Sequence, residues 1–144
     1  MARSVQTARR EELPAVYSLL GRCHLPVHGL DGAHVHVFFV REGERIIACA
    51  AVEWYGARTL LRSVAVHPEY RHRGVGTALV RYVLHMIRQN GGREVYLLTT
   101  TAVGFFRKFG FHIIPRAAVP PVVRQSVEFS LTVCKSATAM WRSL

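Results

Sequence analysis

The stretch Leu60-Leu61-Arg62-Ser63-Val64-Ala65-Val66-His67-Pro68-Glu69-Tyr70-Arg71-His72-Arg73-Gly74-Val75-Gly76-Thr77-Ala78-Leu79 decides the fold. An apolar strand-like run stops at His67-Pro68, and a basic, glycine-containing turn leads straight into a helix. Such a turn aims unpaired backbone N–H groups at one point, and the helix N-terminus adds positive potential, so an anion is stabilised there. Gly74 and Gly76 remove side chains that would hold phosphate oxygens away from the amides, while Arg71 and Arg73 supply neutralising charge. The glycine pair alone fits an ordinary strand-to-helix turn equally well. It matches neither standard nucleotide fingerprint, lacking a third glycine at the dinucleotide spacing and a Gly-Lys-Ser/Thr ending.

Downstream, Val75, Leu79, Tyr82, Val83, Met86 and Ile87 form a broad apolar stripe, which predicts a long helix over residues 74–89 stopped by Asn90-Gly91-Gly92. A strand is expected over 94–99, a short helix over 102–108, a turn at Phe109-Gly110-Phe111 into a further strand, a proline-punctuated segment over 115–126, and a last extended run over 134–141. Upstream, helical spacing of Leu13, Val16, Tyr17, Leu19 and Leu20 predicts a first helix over 11–23, then a loop over 21–32 placed to cover a site. Strands over 34–41 and Arg45–Tyr55, joined by Glu42-Gly43-Glu44, and a third over 59–66 read as an antiparallel meander. The order predicts a mixed α/β (α+β) domain in which helices flank one sheet.

With 144 residues, 50% of them hydrophobic and 19% charged, the chain suits one globular domain over 1–144 rather than a disordered or fibrous protein. A formal charge of +10 would suit nucleic acid, an acidic membrane surface or small anions, but the basic residues are scattered and concentrate only at Arg71, His72 and Arg73. A nucleic-acid module is therefore the rival reading, to be recognised by salt-dependent DNA retention; no nucleic-acid or membrane partner is expected. Cys23, Cys49 and Cys134 are odd in number and widely spaced, which argues against a disulfide framework or a zinc site, and Cys49 reads as a buried hydrophobe. His34-x-His36 lacks a matching carboxylate or thiol, so no metal is expected. No apolar signal-peptide core follows Met1, and the cytoplasm is the expected location.

Arg71-His72-Arg73-Gly74-Val75-Gly76 resembles the acetyl-CoA signature Arg/Gln-x-x-Gly-x-Gly/Ala of the GNAT acetyltransferases. The strand and His67-Pro68-Glu69-Tyr70 before it, and Phe106-Arg107-Lys108-Phe109-Gly110-Phe111 after it, fit the same family in order and spacing. The resemblance implies a GNAT fold, a mostly antiparallel twisted sheet splayed at its central strands. It implies acetyl-CoA as acyl donor, its pyrophosphate cradled by Arg71, His72, Arg73, Gly74, Val75, Gly76 and Thr77. Its pantetheine would lie along Val64, Ala65 and Val66 like an added strand, with Phe106 beside it. Family members often dimerise through sheet edges or carboxy-terminal strands, so a homodimer is one expected assembly.

Leu97-Leu98-Thr99-Thr100-Thr101-Ala102, Phe105-Phe106, Val119-Pro120, Arg124, Ser126, Glu128-Phe129 and Cys134 are similar to the arsenic-resistance-linked N-acetyltransferases, and more distantly to amino-acid acetyltransferases of the N-acetylglutamate synthase type. Both imply N-acetylation of a small amino-acid-like amine, and the first implies a role in resistance to arsenic or toxic amino-acid analogues. Many GNAT enzymes place a tyrosine where this chain has Phe106, which has no proton for the leaving thiolate. Solvent or a hydroxyl of Ser63, Thr99 or Thr100 would serve instead, and a CoA-binding sensor without catalysis is the competing reading. Glu53 is the acid in the sheet that suits a general base, against a surface glutamate or a bound water. Strand alternation predicts Arg62, Val64 and Val66 on one face, so that Arg62 grips an acceptor carboxylate; the other reading pairs Arg62 with Glu53 or leaves it solvated.

Overall fold

The computed structural model describes residues 4–144. The elements in chain order are β1 (Val5–Thr7), α1 (Leu13–Arg22), β2 (Val35–Glu42), β3 (Arg45–Tyr55), β4 (Arg58–Val66), α2 (Val75–Gln89), β5 (Glu94–Thr99), α3 (Val103–Arg107), β6 (His112–Ile114), α4 (Pro121–Arg124) and β7 (Thr138–Ser143). The strands form one seven-stranded sheet in the order β1-β2-β3-β4-β5-β7-β6. Every pairing is antiparallel except that of β4 with β5.

Strand β3 explains why helices cover both faces. Its run Ile46 to Val52 is apolar without alternation, as expected of a strand buried on both sides. Small residues at Ala48, Cys49, Ala50 and Ala51 let both helices approach. On one face Val16, Leu19 and Leu20 of α1 pack with Val37, Phe39, Cys49, Ala51 and Ala65. On the other, Leu79, Val80, Val83 and Ile87 of α2 pack with Phe38, Val40, Ala50, Val52 and Leu61. Burial of Cys49 pushes its thiol up to about 12, so it behaves as the buried hydrophobe expected.

The expected helices and the meander are present, with ends shifted by a residue or two. Helix α2 stops as the Asn90-Gly91-Gly92 signal predicts: Gly91 has φ 92°, its amide donates to Arg88 O at 3.2 Å, and the Gly92 amide donates to Ile87 O at 2.9 Å. This is the Schellman arrangement. Two strands depart from the sequence expectation. Residues 5–7 pair with β2, a strand too short to show periodicity. The last extended run begins only at Thr138, because Thr132–Cys134 forms a 3-10 turn, and β7 then inserts between β5 and β6.

Candidate active site

Strands β4 and β5 pair only over Arg58–Leu60 with Glu94–Tyr96; beyond that they part. At the same place β4 carries an extra residue. Cys49 pairs with Ala65 and Ala51 with Arg62, so Ala50 faces both Ser63 and Val64. Ser63 takes φ 58°, a left-handed conformation that costs a non-glycine residue about 1–3 kcal/mol. Its carbonyl accepts the Cys49 thiol at 3.3 Å.

The bulge overturns the alternation expected of this strand. Arg62 does not share a face with Val64 and Val66: it lies beside Ala51 on the α1 side, while Val64 and Val66 pack towards α2. One inserted residue moves Arg62 to the opposite side of the sheet.

The parting strands open a cavity of about 840 Å³, lined at one end by the first turn of α2 and at the other by Arg62, Glu128 and Cys134. Between them stand Ser63, Val64, Ala65, Val66, Thr99, Thr100, Phe105 and Phe106. Residues 23–26, at the start of the loop that follows α1, close part of the rim, as expected of that loop.

The end at α2 is built from backbone. His72 and Gly74 have φ 63° and 80°, and Gly74 caps the helix. Ala78 donates to Gly74 O at 3.0 Å, so the amides of Val75, Gly76 and Thr77 precede the first helical hydrogen bond. A Cβ on Gly76 would meet Val66 Cγ2 at 3.2 Å and Phe105 Cζ at 3.7 Å. Arg71 Nε donates to Val66 O at 3.1 Å, pinning the turn to the end of β4. Arg73 stacks over Tyr70 at 5.2 Å and does not line the cavity.

The other end is built from buried side chains. The Arg62 side chain is wholly buried, and its Nη1 donates to Glu53 Oε2 at 2.9 Å and to His28 O at 2.7 Å. Its Nε donates to Ser63 Oγ at 3.2 Å and lies 3.3 Å from Glu128 Oε2. Nη2 has no hydrogen-bond partner among the described residues. Glu53 also accepts the Tyr55 hydroxyl. Burial pushes the Glu128 carboxyl up to about 7, opposed by the Arg62 charge and helped by Glu53. Glu128 is held there by local chemistry: its amide donates to Ser126 Oγ at 3.3 Å, starting the 3-10 turn Val127–Ser130. Arg116 clamps the following chain, with Nη1 donating to Cys134 O at 2.9 Å and Ala137 O at 3.2 Å.

Much of this cleft, including the backbone turn at the start of α2 and the split parallel strand pair, falls within a matched sequence region. The sequence profile described as the Acetyltransferase (GNAT) domain matches residues 33–113. The chain belongs to the GNAT acetyltransferase family. An uncharacterized N-acetyltransferase of Chlorobaculum tepidum is 33% identical over 89 residues, which is 60% of this chain and 57% of the relative. An amino-acid acetyltransferase of Pasteurella multocida is 34% identical over 86 residues, 58% of this chain but 20% of that protein. The chain thus spans less than two thirds of the length of these curated relatives. In fold, N-acetylglutamate synthase of Neisseria gonorrhoeae, solved with coenzyme A and N-acetyl-glutamate, superposes with a TM-score of 0.82 at 17% identity, covering 100% of this chain and 35% of that one.

Of the residues singled out in the sequence, the GNAT cleft gathers Arg62, Ser63, Val64, Ala65, Val66, Arg71, His72, Gly74, Val75, Gly76, Thr77, Thr99, Thr100 and Phe106 along one cavity. Glu53 is placed differently: it lies behind Arg62, only 2% exposed and away from the lining, so its position suits holding Arg62 rather than taking a substrate proton. In the sequence Glu128 stands out only through the family resemblance. Its signal was Ser126-x-Glu128, a serine able to cap a turn that buries an acid two residues on.

Proposed function

We propose that the chain transfers the acetyl group of acetyl-CoA to the amine of a small amino-acid-like acceptor. The observation that carries this reading is Arg62, a buried guanidinium at the inner end of the cleft with one nitrogen unpartnered among the described residues. Leaving such a group unpaired costs about 1–3 kcal/mol, which a carboxylate oxygen from a ligand would recover. Arg62 and Glu128 stand 3.3 Å apart, a spacing that suits the adjacent carboxylate and ammonium of an α-amino acid. The amino-acid acetyltransferase relative supports the same acceptor class.

Acetyl-CoA fits the opposite end. The amides at the start of α2, a helix of 15 residues, suit the pyrophosphate, and Gly76, where a Cβ would press on Val66 and Phe105, lets the turn lie close against β4 and α3. The edge of β4 beyond Leu60, unpaired with β5, suits the pantetheine along Val64, Ala65 and Val66, with Phe106 beside it. When bound, the donor supplies an activated thioester; the chain's part is to orient the amine towards it and manage protons. Phe106 has no proton to give. Thr99 Oγ1 accepts the Ala102 amide at 3.0 Å and Ser63 Oγ accepts Arg62 Nε at 3.2 Å, so each hydroxyl keeps its own hydrogen for a departing sulfur, and Thr100 lines the same wall.

The test is release of CoA thiol from acetyl-CoA in the presence of single L-amino acids, simple amines, and phosphinic and arsenical amino-acid analogues. Release with carboxylate-bearing amines and not with their decarboxylated counterparts is expected. Binding of acetyl-CoA without release for any amine would instead favour a CoA-binding sensor.

A further inference from the structure

The buried acid Glu128 has so far only been placed beside the acceptor, and its position suggests a chemical step as well. We propose that Glu128 is the proton acceptor of the transfer: its carboxylate receives the acceptor's ammonium at the inner end of the cleft and removes one proton before attack. This rests on the acyl-transfer reading, and deepens it.

Three observations support the role. Glu128 is 6% exposed yet lines the cavity, so what little surface it has faces the space where an acceptor must sit. Its ion-pair partner is Arg62 Nε at 3.3 Å, whereas Arg62 Nη1 is taken by Glu53 at 2.9 Å and by His28 O at 2.7 Å. Glu53 and Glu128 thus share one guanidinium, two carboxylates against a single cation, which leaves one negative charge over at the inner end. An ammonium ligand would complete the set.

The groups facing Glu128 come from three elements. Arg62 of β4 favours the ionised form, Glu53 of β3 disfavours it, and the Cys134 thiol, pushed up by burial and by the Glu128 charge, is no competitor for the role. Tyr55 donates to Glu53 rather than to Glu128. The net result is a carboxyl raised to about 7, near the pH at which a general base both holds enough charge and takes protons well.

The step balances. One ammonium proton passes to Glu128, the freed nitrogen lone pair forms the new C–N bond as the C–S bond breaks, and the second amine proton accounts for the CoA thiol. Glu128 then returns its proton to solvent. Arg62 and Glu53 are positioning residues here, since they act through Glu128 and through the acceptor's carboxylate.

The experiment measures kcat/KM against pH for the wild type, Glu128→Gln and Glu128→Asp, with acetyl-CoA and L-glutamate, L-glutamine and a phosphinic amino-acid analogue as probe acceptors. A limb rising through pH 7 is expected in the wild type. In Glu128→Gln a drop of about a hundredfold or more is expected, with that limb gone and the KM for acetyl-CoA unchanged. Glu128→Asp should keep the limb at reduced rate. Titration of carbon-13-labelled carboxylates in the wild type gives an independent readout: one glutamate near 7 is expected, and all glutamates below 5 overturns the assignment even if Glu128→Gln fails to fold. An active wild type whose limb survives Glu128→Gln sinks the assignment alone. A wild type that binds acetyl-CoA but acetylates none of the probes counts against the acyl-transfer reading, and the assignment falls with it.

Discussion

The two ends of the cleft are made of different material. The end at α2 is backbone: left-handed His72 and Gly74, the leading amides of α2, and Gly76, which lets Val66 and Phe105 approach the turn, all within residues 71–77. The end at Arg62 is side chain: one guanidinium and two carboxylates from β3, β4 and the 3-10 turn at Val127–Ser130, brought together over 76 positions of sequence from Glu53 to Glu128 and buried. A backbone site is indifferent to what completes the ligand and suits a shared donor. A side-chain site responds to every charge in it, and suits choice among acceptors.

The largest expected effect follows from charge burial at the inner end. Arg62→Met keeps the volume but leaves Glu53 without its cation beneath a 2% exposed surface. Breaking a buried pair from one side costs about 3–5 kcal/mol. Denaturant unfolding should show this loss, and Glu53→Gln in the same chain should return part of it. An Arg62→Met variant as stable as the wild type would mean that the inner end is not an electrostatic unit.

Next in size is the linkage of stability to Glu128. Its carboxyl is raised in the folded chain from 4.5 to about 7, so the folded state holds a proton that the unfolded state releases. Stability from this group is therefore present in full below pH 4.5 and is lost as pH rises through 7. The shift corresponds to about 3 kcal/mol at most. Glu128→Gln should be more stable than the wild type at pH 8 by up to that amount, with little difference at pH 4. Equal stability at both would contradict the burial that sets this group apart.

The contrast in material also explains what could be read from the sequence. Residues 71–77 are contiguous, and glycine, arginine and a helix start are visible in order, so the cradle was legible together with the strand, turn and helix around it. Both long helices were legible because their apolar period persists for ten residues or more, and the meander because its strand-like runs are separated by short glycine-containing links. The inner end was not. The Ser63 bulge changes the face of Arg62, and a bulge is set by pairing with β3, which no local pattern reports. The pairing of Arg62 with Glu53 was one of two readings that the sequence left open, and the structure has that pair; Glu128 lies just past the proline-punctuated stretch, in a segment without periodicity. Arg73, although inside the motif, turns to Tyr70 instead of the cavity.

At the cradle a side chain rather than a charge is the useful probe. Gly76→Arg would place a long side chain where even a Cβ meets Val66 at 3.2 Å and Phe105 at 3.7 Å. Calorimetry with CoA should show affinity reduced at least a hundredfold, about 2.7 kcal/mol. Unchanged affinity would remove the phosphate role from this turn, while the inner end would stand untouched.

The smallest expected effect separates conformation from space within the same turn. Gly74 has φ 80° with nothing within 4 Å of a Cβ, whereas Gly76 shows no left-handed φ and has close neighbours. Gly74→Ala should therefore cost about 1 kcal/mol, all of it backbone strain, with a modest loss of CoA affinity as the cap relaxes and the leading amides of α2 turn away. Gly74→Asn, which tolerates the left-handed region better, should recover much of that loss. If alanine and asparagine behave alike at 74, the amides are held by something other than the left-handed cap, and the backbone account of this end would have to rest on Arg71, whose Nε reaches Val66 O across the base of the turn at 3.1 Å.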